Sequence, residues 1–252
     1  MSDNTIKVLT YNIHKGFDIY NSDFVLHKIR DQLHSIDVDI VFLQEILGEH
    51  QQHAAIMVDW PKVSQFEYLA DQIWPHYAYG KNAIYEKGHH GNAILSKHSI
   101  EQWQNINVSR FRRASRSLLH GLVKLPGVDC HLHLICVHLE LIGFERRRQL
   151  SILERYINES IPASEPIILA GDFNDWNGRM GLRLESDLKM QEAFRLKHGR
   201  YARTFPSNLP FLQMDRIYFR GLNMIESECF NAPPWKSLSD HSPLYAKFDI
   251  KL

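Results

Sequence analysis

The sequence predicts an α/β fold in which buried strands alternate with amphipathic helices. Pro166-Ile167-Ile168-Leu169-Ala170 is a short apolar run opened by proline, the pattern of a strand buried on both faces. Phe24, Leu26, Ile29, Leu33 and Ile36 recur at helical spacing and form one apolar stripe. Strand-like and helix-like stretches interleave along the whole chain, without a repeat or low-complexity segment. Two sheets packed face to face, with helices outside, accommodate them.

The elements follow in order. Ile6-Lys7-Val8-Leu9-Thr10 alternates its outward residues, giving a strand over 6–11, and the stripe gives a helix from Asp23 to Ser35. Val38 to Leu43 supplies a strand over 38–44. Ser64 caps a helix that runs through Phe66, Leu69, Ala70 and Ile73 to Trp74, where Pro75 ends it. Strands are expected over 92–96, 100–108, 118–125 and 130–138. A helix from Phe144 to Glu159 buries Leu150, Leu153, Tyr156 and Ile157. Strands over 166–171, 214–220, 223–230 and 243–250 complete the chain.

Several of these strands end in polar residues. Tyr11-Asn12-Ile13-His14, Gln44-Glu45, His138 and Gly171-Asp172-Phe173-Asn174 each follow an apolar run, and Ser239-Asp240-His241 precedes one. Asp and Asn also make turns, which explains any one of these ends. Five together point to one site, because loops at one rim of a sheet protein are where distant polar groups meet.

At 252 residues, one domain over 1–252 is expected. Hydrophobic content of 44% and charged content of 23% are ordinary for a soluble globular chain. No stretch approaches the ~18 uninterrupted apolar residues of a membrane span. Met1 to Thr5 lacks the basic start and apolar core of a signal peptide. Cys130, Cys136 and Cys229 are few and scattered, which suits thiols in a reducing, cytoplasmic compartment rather than a disulfide framework or zinc site. A monomer is expected.

Formal net charge is zero, with 29 basic and 29 acidic residues, where a dedicated DNA-binding domain usually has a basic excess. Basic patches occur locally at Arg110, Arg112, Arg113 and Arg116, and at Arg146-Arg147-Arg148. Consecutive arginines point around a helix, so the second patch reads as a solvated face.

The polar strand ends resemble the endonuclease/exonuclease/phosphatase superfamily, with its deoxyribonuclease I-like fold. The matching stretches are Tyr11-Asn12-Ile13-His14, Leu43-Gln44-Glu45, Gly91-Asn92-Ala93-Ile94-Leu95-Ser96, Val137-His138-Leu139, Gly171-Asp172-Phe173-Asn174, Met214-Asp215-Arg216-Ile217 and Ser239-Asp240-His241. They come in the family's order, in a chain that looks most like its short, poorly characterised bacterial members. The resemblance implies a four-layer α/β sandwich of two packed mixed sheets. It also implies that Asp215 partners His241, and the position of Arg116 resembles a phosphate-contacting arginine.

Residue chemistry fits a metal-dependent phosphoester hydrolase. Glu45, Asn12 and Asp240 offer hard oxygen ligands without a thiolate, suited to Mg²⁺ with Mn²⁺ as a substitute. Asp172 is the expected base for the attacking water, and Asn174 a donor to water or phosphate. His241 and His138 are expected to flank the phosphoryl group as imidazolium donors. Arg116, Asn92 and His14 are the candidates for substrate contact. The substrate class stays open among nucleic acid, a phospholipid or sphingomyelin-like headgroup diester, and a soluble phosphoester. Alternatives are a non-catalytic binding module, a scaffold, and a zinc hydrolase built on His131, His133, His89 and His90. The segments Ile46 to Lys62 and Thr204 to Phe211, with Trp235, are expected at the rim of the site.

Overall fold

The computed structural model describes residues 5–85, 88–110, 116–125 and 130–250. Arg112 and Arg113 of the first basic patch, and Met1 to Asn4, lie outside them. In chain order the elements begin with β1 (Thr5–Asn12), α1 (Leu26–Ser35), β2 (Ile40–His50), α2 (Gln51–Ile56) and α3 (Gln65–Ala70). Next come β3 (His76–Tyr85), β4 (Gly88–Ser96), β5 (Ile100–Asn107), β6 (Ser117–Lys124), β7 (His131–His138) and α4 (Gly143–Ser160). Then follow β8 (Ile167–Asp172), α5 (Arg179–Leu188), β9 (Gln191–Glu192), α6 (Ala193–His198), β10 (Asp215–Arg220), β11 (Asn223–Cys229), α7 (Trp235–Leu238) and β12 (Leu244–Asp249).

The strands form two mixed six-stranded sheets, ordered β11-β12-β1-β2-β4-β3 and β5-β6-β7-β8-β10-β9, packed together with helices outside. Each sheet holds one parallel pair, β1 with β2 and β7 with β8, amid antiparallel neighbours. Between the sheets Val8, Phe42, Leu134, Ile168, Ile217 and Phe248 form a sealed core. The outer faces are covered separately: α1 and α3 lie over Leu9, Val41 and Leu43, and α4 and α5 over Ile135, Ile167 and Leu169. Alternate residues of the same strands thus serve different cores, as the two-residue strand period requires. Leu134, fully buried between the sheets, provides a test of that core. Leu134→Ala is expected to cost about 2–5 kcal/mol, read as a lowered urea midpoint at unchanged slope.

The expected elements are present with shifted ends. The first helix starts at Leu26 rather than Asp23, because the Asp18 carboxylate accepts the backbone N–H groups of Ser22 (2.7 Å) and Asp23 (3.1 Å) and holds a turn there. Ser64 caps α3 in a reciprocal box with Glu67. That helix ends at Ala70, and a 3-10 turn over Asp71–Ile73 carries the chain to Trp74. Strand β3 escapes sequence reading because its buried positions are Ala78, Gly80 and Asn82, while Tyr77, Ile84 and Tyr85 face out. Helix α5 buries a stripe at helical spacing, Met180, Leu184 and Leu188. No helix among the described residues is long and apolar enough to cross a membrane.

Candidate active site

The strand directions explain why polar residues gather at one rim. Both parallel pairs deliver their carboxyl ends there: Asn12 lies opposite Gln44, and His138 opposite Asp172. The antiparallel neighbours deliver their starts: Asp215 opens β10 in register with Asp172, and Asp240-His241 leads into β12. Asp172 therefore sits on a central strand between His138 and Asp215. Gly171 makes that approach possible. Its φ is +144°, and a Cβ there would lie 1.9 Å from the Val137 carbonyl oxygen.

The first sheet reaches across to the second at Asp172. The Asn12 Nδ2 donates to Asp172 Oδ2 at 3.2 Å, and the Asn174 backbone N–H donates to Oδ1 at 2.9 Å. His138 Nε2 lies 3.6 Å and His241 Nε2 3.8 Å from the same Oδ2. Behind His241, Asp215 Oδ2 lies 2.8 Å from Nδ1. The Thr204 hydroxyl accepts the backbone N–H groups of Met214 and Asp215, each at 3.3 Å, and the Phe205 ring lies 5.0 Å from the imidazole. Ser239 Oγ donates to the Asn12 carbonyl at 2.7 Å, tying the loop before β12 to the end of β1.

Left-handed backbone at non-glycine residues recurs at His14 (φ 45°), Lys15 (59°), Glu45 (55°) and Asn174 (51°). Such conformations carry strain and cluster at functional sites. At Glu45 the pairing of β2 with β4 slips between Leu43 and Ile46. Strand β2 therefore does not stop near 44 but bulges and runs on to His50.

Burial and mutual charge set four ionisation states. Burial alone would lower the His241 pKa, but the Asp215 and Asp172 carboxylates outweigh it and raise it to about 10. Burial pushes the Asp172 carboxyl up, the facing His241 opposes this, and Asp215 adds to it; the net direction is upward. His138 is pushed well below the ordinary histidine value by burial and by the field of Arg116. The expectation of imidazolium at both histidines thus meets an asymmetry: His241 is charged and His138 neutral. Burial would raise the Glu45 carboxyl, but a positive field from His138, Lys15 and His241 holds it well below the usual range. Since His138 is itself neutral, Lys15, whose Nζ lies 3.1 Å from Oε2, and His241 carry that field.

Glu45 Oε2 is buried and paired with the Lys15 ammonium, and Asn12 Oδ1 accepts the His14 backbone N–H at 3.2 Å. Asp240, one-quarter exposed, lies 3.9 Å from His14 Nδ1. These oxygens fit a hard divalent cation. A different set of metal-type side chains also clusters at this rim. Ligand atoms of Asp172, Asp215 and His241 lie within 4.8 Å of one another, with His241 already hydrogen-bonded inside that group.

The other expected residues divide. Asn92 is buried with Nδ2 donating to the Ser117 carbonyl at 3.3 Å and Oδ1 unsatisfied. Arg116 Nε lies 3.5 Å from Glu140. Asn174 has one amide hydrogen committed to the Leu139 carbonyl at 2.8 Å. The four zinc-type histidines have separate partners: His131 bonds Glu101, His133 bonds His120 and Glu165, His89 bonds Tyr79, and the His90 ring lies 6.0 Å from that of Tyr85. Trp235 is buried against Tyr11, their rings 5.6 Å apart, and Trp60 stacks on Phe24. Arg146 departs from the solvated-face reading. It is buried, donates to the carbonyls of Glu140 and Leu141, and lies 4.8 Å over the Trp176 ring. Lys15 was missed, since nothing in the run His14-Lys15-Gly16 marks a partner thirty residues away.

The model of the Endonuclease/Exonuclease/phosphatase family matches residues 9–241, and the chain belongs to that family. It is 41% identical over 246 residues to the uncharacterized protein YbhP of Escherichia coli (strain K12), covering 98% of this chain and 97% of that protein. Among solved structures, an endonuclease/exonuclease/phosphatase from Beutenbergia cavernae superposes with a TM-score of 0.75 at 18% identity, over 97% of this chain and 71% of that one. D. rerio TDP2 complexed with single strand DNA product superposes at 0.73 and 17% identity, over 98% and 99%. At such identities the superpositions speak for the fold alone.

Proposed function

We propose that this chain is a divalent-metal-dependent phosphoester hydrolase acting through in-line attack of water. The observation that carries the proposal is a buried carboxylate, Asp172, faced within 3.8 Å by Asn12, His138 and His241, with Asp215 behind His241. Glu45, Asn12 and Asp240 are the residues to hold Mg²⁺ or Mn²⁺, which when bound polarises a phosphoryl oxygen and offsets charge on the leaving group. Asp172 orients the water and takes its proton, and its upward-shifted pKa makes it a better base than an exposed aspartate. Asn12 and the Asn174 backbone hold that carboxylate in place. His241, kept charged by Asp215, donates from Nε2 to a non-bridging oxygen, and neutral His138 donates one N–H beside it. Arg116, Asn92 and His14 line the approach of the substrate.

The test is hydrolysis of bis-p-nitrophenyl phosphate by the purified chain. Chelator is expected to abolish turnover, and added Mg²⁺ or Mn²⁺ to restore it. Glu45→Gln should raise the Mg²⁺ concentration for half-maximal activity about tenfold or more, since even loss of a residue that only supports a metal ligand costs about 10–100-fold. Undiminished turnover by the chelated protein rejects the metal assignment, and complete inertness toward phosphoesters favours a binding module.

A further inference from the structure

Residues 139–148, 173–180 and 201–214 adjoin His138, Asp172 and Asp215, and their surfaces share one composition. Six large apolar side chains, Leu141, Ile142, Phe144, Trp176, Leu209 and Phe211, are between 43% and 75% exposed. The exposed charged side chains in these stretches are all arginines: Arg147, Arg148, Arg179 and Arg203. The three acids there, Glu140, Glu145 and Asp175, are half-buried or buried. A chain of zero net charge thus shows solvent an apolar and positive surface on the side of its site formed by His138, Asp172 and Asp215.

The rim is continuous with the catalytic groups. Arg146, over Trp176 and bonded to the carbonyls of Glu140 and Leu141, joins the first two stretches, as does Asn174 bonded to the Leu139 carbonyl. On the His241 side, the Phe211 backbone N–H donates to the Phe205 carbonyl at 3.0 Å, next to the ring that faces His241.

Exposed apolar patches of this kind mark interaction surfaces. Single-stranded nucleic acid is gripped by cations and by aromatic faces that stack on bases. Leu141, Ile142 and Leu209 have no such face, and against a nucleic acid they would remain wet or be covered without gain. An anionic bilayer accommodates the whole set: aliphatic tips enter the acyl boundary, tryptophan favours headgroup depth, and arginines meet lipid phosphates. We propose that this rim docks on an anionic phospholipid surface and presents a lipid headgroup phosphoester to the site. The second half of that statement rests on the hydrolase reading above; the docking does not.

The experiment is co-sedimentation with vesicles of phosphatidylcholine alone or with 30 mol% phosphatidylglycerol (about a third of the lipid, enough for a negative surface), beside an oligothymidylate binding assay. The wild type is expected to sediment with the anionic vesicles. Leu141→Ser combined with Leu209→Ser should reduce this at least tenfold while turnover of bis-p-nitrophenyl phosphate stays unchanged. Arg147→Glu with Arg179→Glu, surface changes that leave the apolar tips intact, should abolish the preference for anionic over neutral vesicles. Failure of the wild type to sediment, wild-type sedimentation by either variant, or retention by oligothymidylate alone overturns the proposal. Sedimentation without any phosphoester turnover supports the docking surface and overturns the hydrolase reading.

Discussion

Asp172→Asn is expected to lower turnover by ~10²–10⁴-fold, the scale of a lost general base, or roughly 3–5 kcal/mol of barrier. The substitution keeps the shape of the side chain and removes its charge, its capacity to take a proton and one of its two acceptor oxygens. The asparagine Oδ1 can still accept the Asn174 backbone N–H that Asp172 accepts at 2.9 Å, while its amide nitrogen, standing where Oδ2 was, forfeits the hydrogen bond from Asn12 Nδ2. Because Asp172 is buried and its carboxyl is pushed toward the neutral form, a neutral replacement should leave thermal stability close to that of the wild type. The measurement is a pair of curves on each protein, turnover of a chromogenic diester against substrate concentration and thermal unfolding. Wild-type turnover in Asp172→Asn would place the base elsewhere, with the neutral His138 imidazole 3.6 Å away the next candidate.

His241→Ala should be at least as damaging, and its pH dependence separates charge from position. His241 is raised to about 10 because two carboxylates face it against the effect of burial. A raised pKa keeps the imidazolium present as pH climbs, so a reaction that uses the charged form holds its rate until the pH approaches that value. Asp215→Asn removes the partner at Nδ1 but leaves Asp172 3.8 Å from Nε2. The alkaline limb should therefore move down, to a position between about 10 and the unperturbed value of about 6.5. Turnover should fall as well, since the ring loses the contact that fixes its orientation. The double variant Asp215→Asn/His241→Ala should be little worse than His241→Ala, because residues acting as one unit are not additive. An unmoved limb in Asp215→Asn, or fully additive losses, would show that the two side chains act separately.

Local periodicity made much of the scaffold legible. The strand endings at Asn12, His138 and Asp172 follow apolar runs whose burial pattern a linear reading can follow, and the ends of α4 differ from expectation by one residue. Strand β3 was illegible for the same reason: a strand that buries Ala78, Gly80 and Asn82 and exposes its tyrosines inverts the usual signal. The Glu45 bulge was also invisible, because nothing in Gln44-Glu45-Ile46 encodes the left-handed turn that lets β2 continue to His50.

The sequence by itself determined which residue types stand at the ends of which strands, since hydrophobic alternation and turn chemistry act over a few residues. Only the tertiary structure decided which of those ends meet and in what ionic state. Asn12 and Asp172 are 160 positions apart and belong to different sheets, yet they share a hydrogen bond. His138 and His241 are the same residue type at the same rim, but one is neutral beside Arg116 and the other charged between two carboxylates. Arg146 and Arg147 are adjacent in the chain, and the turn of α4 sends one under Trp176 and the other into solvent. Charge states and cross-sheet contacts depend on burial and on fields acting through space, which no local pattern of residues records.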